Sequence, residues 1–271
     1  MAAAPPIPPD LEQRFRQEEI TGDRPMTLIE HLLELRRRLV VSAMAVAIGT
    51  GVGLAITNRY LFPLLEHPAR EKAGQLDLIR LDVLDGVTVY FKVALTAGII
   101  LAMPIIIYEA LMFVVPALTP RERRWVLPSI AGIFLFFLTG VAFGYFVALP
   151  PALKFLIQFG PGKATIQVGR YFGFVTRMLL FIGLAFETPM VMLALSRFGV
   201  VSAGRMLRWW RYAIVMAFVL AALITPTIDP VTQTLVAGPI IVLYLLGIVL
   251  SKVFGRKPRP AAQQAPAAES H

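Results

Sequence analysis

The chain of 271 residues contains no cysteine, which excludes both a disulfide framework and thiol chemistry. Its three histidines, His31, His67 and His271, are too dispersed for a histidine metal centre. Charged residues are scarce at 16 %, against 57 % hydrophobic, and mean hydropathy is +0.70. Soluble domains rarely have this composition, whereas bundles of membrane helices do. Also missing are a Gly-x-Ser-x-Gly elbow, a His-Glu-x-x-His pair and a phosphate-cradling glycine loop, so the residues point to no enzyme, cofactor or metal. The net charge of +9 comes from arginines interspersed at apolar borders, unlike a nucleic-acid patch. Residues 1–25 are Pro-rich and then polar, and they are expected to form a disordered tail rather than a cleavable signal. No internal repeat is visible, which counts against an inverted-repeat transporter.

What the chain does have is six long apolar runs, at 39–57, 87–115, 125–149, 171–198, 212–224 and 231–249. The fold class they predict is all-α, a polytopic membrane protein of six transmembrane helices. Short surface helices are expected around 60–65 and 76–84, a loop at 150–170, and a disordered tail at 251–271. The domain itself spans 26–250. Lysine and arginine number 17 in the two tails and the loops on their side, against 7 in the opposite loops, which predicts that both termini are cytoplasmic. Counted from Trp209, the fifth run offers about 16 residues, roughly 24 Å against a core of about 30 Å, so the bilayer should thin or admit water beside it.

The stretch from Met26 to Leu39 reads as an amphipathic helix entering the first span. Thr27 and Glu30 form a capping box. Leu28, Leu32, Leu35 and Leu39 make one apolar stripe, and Glu34 precedes Arg37 and Arg38 at ion-pair spacing. Glu122 has a second capping-box position after Thr119 and Pro120. Glu30, Glu34 and Glu122 lie on one membrane face, where carboxylates can converge on a guanidinium. Inside the bilayer, Glu187 stands near the centre of the fourth span beside Pro189, which bends the helix. Glu109 and Arg177 lie nearer span ends and are expected to snorkel. Asp229 with Pro230 caps the sixth span, and Gln233 follows one turn in. On residues alone, a recognition surface for something cationic, a proton-coupled solute transporter using Glu187 and a structural scaffold all remain open.

Four motifs narrow that choice. His31-Leu32-x-Glu34-Leu35-Arg36-x-Arg38-Leu39 resembles the N-terminal signature of the TatC family, the polytopic receptor subunit of the twin-arginine protein translocase. Ala117 to Arg124 resembles the first cytoplasmic loop of that family, Phe186-Glu187-x-Pro189 its fourth-span motif, and Thr225-Pro226 through Asp229, Gln233 and Pro239 the start of its sixth span. Two features depart from the family pattern. The turn Thr225 to Asp229 is one residue longer than the commonest form, and Leu245 stands where an acid is frequent. The resemblance implies a receptor in a bacterial or archaeal cytoplasmic membrane for folded proteins whose signal peptides carry paired arginines. It implies that these arginines bind Glu34 and Glu122, within a signal-binding stretch that includes Glu30, His31 and Arg36. The apolar part of the signal would then insert along the concave side of the bundle toward Glu187. Glu187, Pro189, Gln233 and Asp229 are implied as polar intramembrane positions that meet the single-span partners TatA and TatB. Self-association in a receptor complex and energy from the proton gradient are implied as well.

Overall fold

The computed structural model describes residues 28–73, 77–115, 123, 126–158, 165–197, 199, 201–225 and 230–255. Helix α1 (Leu28–Ile56) passes through a π turn at Thr57–Leu61 directly into α2 (Phe62–Ala73). A short strand β1 (Asp77–Ile79) leads to α3 (Asp85–Val114). Helix α4 (Val126–Phe143) continues through a second π turn, Gly144–Ala148, into α5 (Leu149–Gln158). Strand β2 (Thr165–Gln167) precedes α6 (Val168–Phe186) and α7 (Thr188–Arg197). Then come α8 (Ala203–Arg208), α9 (Trp210–Ile224) and α10 (Pro230–Phe254). Five helical stretches are long and apolar enough to cross a membrane, and the shorter apolar α9 makes a sixth.

Contacts fix how the ends are arranged. His31 stacks on Phe113, and Arg197 Nε donates to the Phe254 carbonyl at 3.0 Å. One groove is lined by Val114, Val126, Arg197 and Phe254 together. The first and last described helices therefore end on one face, here termed the terminal face. The opposite face carries the parallel pair of β1 and β2, in the register Asp77↔Thr165, Leu78↔Ile166 and Ile79↔Gln167, and is termed the strand face.

Helices α1 and α3 run antiparallel and touch through backbone. A Cβ on Gly53 would lie 2.5 Å from the Ala94 oxygen, and one on Gly49 would lie 2.6 Å from the Gly98 oxygen. These small residues sit four apart on each helix, the arrangement that draws membrane helices together in the absence of a hydrophobic drive between them. At the strand-face end of the pair, Tyr90 donates to the Leu54 carbonyl.

The central helix is α6. Phe172, Val175, Met178 and Ile182 are buried in one cluster with Val89 and Val93 of α3, Leu149 and Leu153 of α5, Ala221 of α9 and Val236 of α10.

Two local expectations are corrected here. Of the segment expected around 76–84, the described residues 77–84 are not a helix. Its first part pairs as β1, and the Asp82 and Asp85 carboxylates then accept bonds from the backbone N–H groups of Leu81, Asp82 and Leu84, which competes with helix formation. The loop expected from residue 150 instead begins as helix α5. Pro150 and Pro151 follow directly on the π turn Gly144–Ala148, whose wider register lets a continuous helix take up residues that lack an N–H. Similarly, α10 runs past the apolar run to Phe254, with Lys252 in its last turn.

Candidate functional site

At the terminal face, α1 turns its charged side chains toward α3. Glu34 and Arg38 are one helical turn apart, as their spacing predicted. Arg38 Nε donates to Glu34 Oε1 at 3.0 Å, and Nη2 donates to the same oxygen. Nη1 donates to Glu109 Oε2 of α3 at 2.9 Å. The side chains of Glu34, Arg38 and Glu109 are only 18, 19 and 15 % exposed. One guanidinium fork thus bridges two carboxylates across two helices, the geometry for which arginine is suited and lysine is not. Glu34 Oε2 takes no hydrogen bond, and His31 Nδ1 stands 3.7 Å from it. The His31 ring is itself held by stacking on Phe113, with centroids 4.2 Å apart.

This arrangement corrects one expectation: Glu109 does not snorkel; it closes an ion-pair triad. The leucine stripe turns outward, for Leu32 and Leu39 are 64 and 60 % exposed. In lipid the apolar face turns outward and the polar one is satisfied internally. Glu109 and Phe113 are the site residues that sequence reasoning missed. Glu30 and Arg36 are exposed on the remaining faces of α1. Glu122 and Asp229 lie outside the described residues, as do Thr27, Thr119 and Pro120.

Glu187 sits at the break between α6 and α7. Its N–H donates to the Leu184 carbonyl at 3.1 Å, and its carbonyl accepts from Val191 at 2.9 Å. The side chain is half-buried, and Oε1 is buried without a hydrogen bond. Gly183 and Met190 share its helical face, and both meet α4. A Cβ on Gly183 would lie 2.8 Å from Phe137, while Met190 Cε lies 3.0 Å from the Cβ position of Gly132. Pro189 is buried against the opposite neighbour, with its Cα 3.2 Å from the Cβ position of Gly247 on α10. Gln233 is not near this point. It lies in the first turn of α10, close to the strand face, and its Nε2 donates to the Phe218 carbonyl of α9 at 3.0 Å.

An apolar groove of about 350 Å³ opens at the terminal face between α3, α4, α7 and α10. Leu111, Ile133, Met190 and Phe254 are among its walls, so it descends from the last turn of α3 to within a turn of Glu187. Among the described residues, no three His, Asp or Glu side chains come together as metal ligands. The terminal face therefore carries two distinct features: the Glu34–Arg38–Glu109 triad between α1 and α3, and an apolar furrow whose polar lining includes Arg197.

Comparison with known proteins bears on that geometry. Residues 30–239 match the family model for the Sec-independent protein translocase protein TatC. The chain is 39 % identical over 247 residues to the Sec-independent protein translocase protein TatC of Deinococcus radiodurans, covering 89 % of this chain and 90 % of that protein. It is 37 % identical over 238 residues to the TatC of Aquifex aeolicus, covering 86 and 98 %. With the chloroplastic TATC of Arabidopsis thaliana it shares 38 % identity over 243 residues, covering 89 and 71 %. A crystal structure of the twin arginine translocase receptor TatC superposes with a TM-score of 0.77 at 36 % identity, covering 84 % of this chain and all of that one. With a family match along most of its length, these relatives and that six-helix architecture, the chain belongs to the TatC family of Sec-independent protein translocase subunits.

Proposed function

We propose that this chain receives twin-arginine signal peptides at the cytoplasmic side of a bacterial or archaeal inner membrane and takes part in exporting their folded cargo. In this reading the terminal face is cytoplasmic and residues 26–250 form the translocating domain, with residues 1–25 and 251–271 as cytoplasmic tails. Glu34 and Glu122 take the two guanidinium groups, while Glu30, His31 and Arg36 border them. The apolar part of the signal then lies in the groove that leads toward Glu187. Polar intramembrane positions, Glu187 with Pro189 and Gln233 with Asp229, serve as contacts for the single-span partners TatA and TatB. The chain acts as a binding and conducting subunit, not an enzyme, self-associates in a receptor complex, and draws its energy from the proton gradient.

One observation carries the reading. Glu34 engages a guanidinium, that of Arg38, through Oε1, and its Oε2 is buried without a hydrogen bond, so an incoming arginine must take the place of Arg38 or open the cover over Oε2. This carboxylate is built for arginine, and the apolar groove begins on the same last turns of α3 that supply Glu109 and Phe113. The solute-transporter alternative gains nothing from the family.

The test is photo-cross-linking of an Arg-Arg signal and its Lys-Lys variant to membranes holding the chain. Glu34→Gln combined with Glu122→Gln should reduce cross-linking of the Arg-Arg signal at least tenfold, the cost of about one charge-assisted hydrogen bond. The variant should still insert in the membrane. Undiminished cross-linking would remove both carboxylates from the binding role.

A further inference from the structure

The strand-face half of the bundle carries a charge arrangement that the receptor role does not use. Lys92 projects from α3 and Arg177 from α6, and the two meet over one buried glycine. A Cβ placed on Gly173 would lie 3.4 Å from Lys92 Nζ and 4.0 Å from Arg177 Nη2. The two charges therefore stand within ~7.5 Å of each other, close enough to repel in a medium of low effective dielectric. Arg177 is fixed in place, because its Nε donates to the Gly173 carbonyl at 2.9 Å and its stem is folded back along α6. Its two Nη groups are left to serve something outside the helix. Among the described residues, neither Lys92 nor Arg177 makes an ion pair.

The nearest acid is already occupied. Asp85 opens α3 two helical turns before Lys92, which acts on it electrostatically from there, and its Oδ1 lies 2.9 Å from the Cβ position of Gly169. Its carboxylate accepts from Gln167 Nε2 at 2.9 Å and from the backbone N–H groups of Leu81 and Asp82. Arg80, the other charge facing this corner, lies beside Gly86 and adds to the positive side.

Depth identifies the missing counter-charge. Both α3 and α6 start at the strand face, so side chains on both lean toward that face. Lys92 is seven residues into α3 and Arg177 nine into α6, roughly 10–14 Å from the helix starts. From there, long cationic stems reach the headgroup layer and no further. We propose that Lys92 and Arg177 form a clamp for a phosphate-class anion, the phosphodiester of a phospholipid in the strand-face leaflet, with Gly173 supplying the room beneath it. A soluble phosphate is the other source of the same chemistry, and it is less suited because the pair stands roughly 10–14 Å in from the helix starts.

The test is native mass spectrometry of the purified, delipidated chain titrated with dioleoyl phosphatidylglycerol, with dioleoylglycerol, which has the same tails without phosphate, and with inorganic phosphate. Lys92→Gln with Arg177→Gln should weaken the first phosphatidylglycerol by about tenfold. Lys92→Arg with Arg177→Lys should retain it, and so should Arg170→Gln, which removes an exposed charge from the first turn of α6. Dioleoylglycerol should bind all of these equally. Displacement of phosphatidylglycerol by millimolar inorganic phosphate would uphold the anion clamp and move its source to solution. Equal phosphatidylglycerol affinity in the double glutamine variant and the parent would overturn it. Equal unfolding temperatures for the glutamine and charge-retaining pairs establish that both are folded.

Discussion

Arg38 is the residue on which the terminal face depends. It holds Glu34 and Glu109 with three hydrogen bonds, and the three side chains are too buried for solvent to take its place. Half of this triad was legible in the sequence, because an i→i+4 pair on one helix is a local fact. The other half was not. Glu109 lies 71 residues away, and no periodicity says which residue near the end of one span will meet which on another. The prediction at this scale is non-additivity. Glu109→Gln and Arg38→Lys should each destabilise the protein by about 1.5–3 kcal/mol, the worth of a hydrogen bond to a charged group. Lysine fails because it offers a point charge in place of a fork. Combined, they should cost clearly less than their sum, since both remove the same bridge. Thermal unfolding in detergent reads this directly, and strictly additive shifts would mean that the triad does not act as a unit.

Among elements, α1 and α3 approach through backbone, and the contact separates two glycines that look alike in sequence. A Cβ on Gly98 would meet the Thr50 backbone nitrogen at 2.5 Å and its Cα at 2.7 Å, atoms that cannot swing aside. A Cβ on Gly51 would meet nothing within 4 Å. Gly98→Ala should therefore force the helices apart and cost about 1–3 kcal/mol as an overpacking change. Gly51→Ala should be neutral or stabilising by up to about 1 kcal/mol, because alanine is the better helix former. Unfolding midpoints of the two variants check the contrast, and equal effects would refute it. If the splay occurs, Gly98→Ala should also loosen the Arg38–Glu109 bond at the end of the same helix pair. The elements that escaped the sequence reading did so for a related reason. The ladder of β1 and β2 has three residues on each side and no alternation long enough to register, and its stability comes from a partner 88 positions on. Pro150 and Pro151 read as a loop until the π turn just before them is known.

For the whole molecule, the six crossings and their order were legible because hydrocarbon thickness sets the length of each apolar run. Run length also pointed to the side that falls short of the core, the fifth run, and the helix found there is short. Helix α9 has 15 residues, against 29 in α1, 30 in α3 and 25 in α10. At 1.5 Å per residue it spans about 22 Å of a core near 30 Å. It packs on α10, whose Gln233 is tied to the middle of α9 through the Phe218 carbonyl. The short wall thus also carries a polar side chain bonded across it, and Thr225 and Thr232 are buried at its strand-face end. The opposite wall, made by α1 and α3, is long enough to cross with tilt. Such a molecule should pull the bilayer inward on one flank only, at a cost of fractions of a kcal/mol per Å. Extending α9 by four residues at its Trp210 end removes the mismatch while leaving the Gln233 bond and the Arg38 triad in place. If local thinning serves passage of cargo, transport of an Arg-Arg precursor into membrane vesicles should fall at least fivefold while cross-linking of its signal stays at the parental level. Unchanged transport by the lengthened chain would show that the short wall is a feature of packing alone.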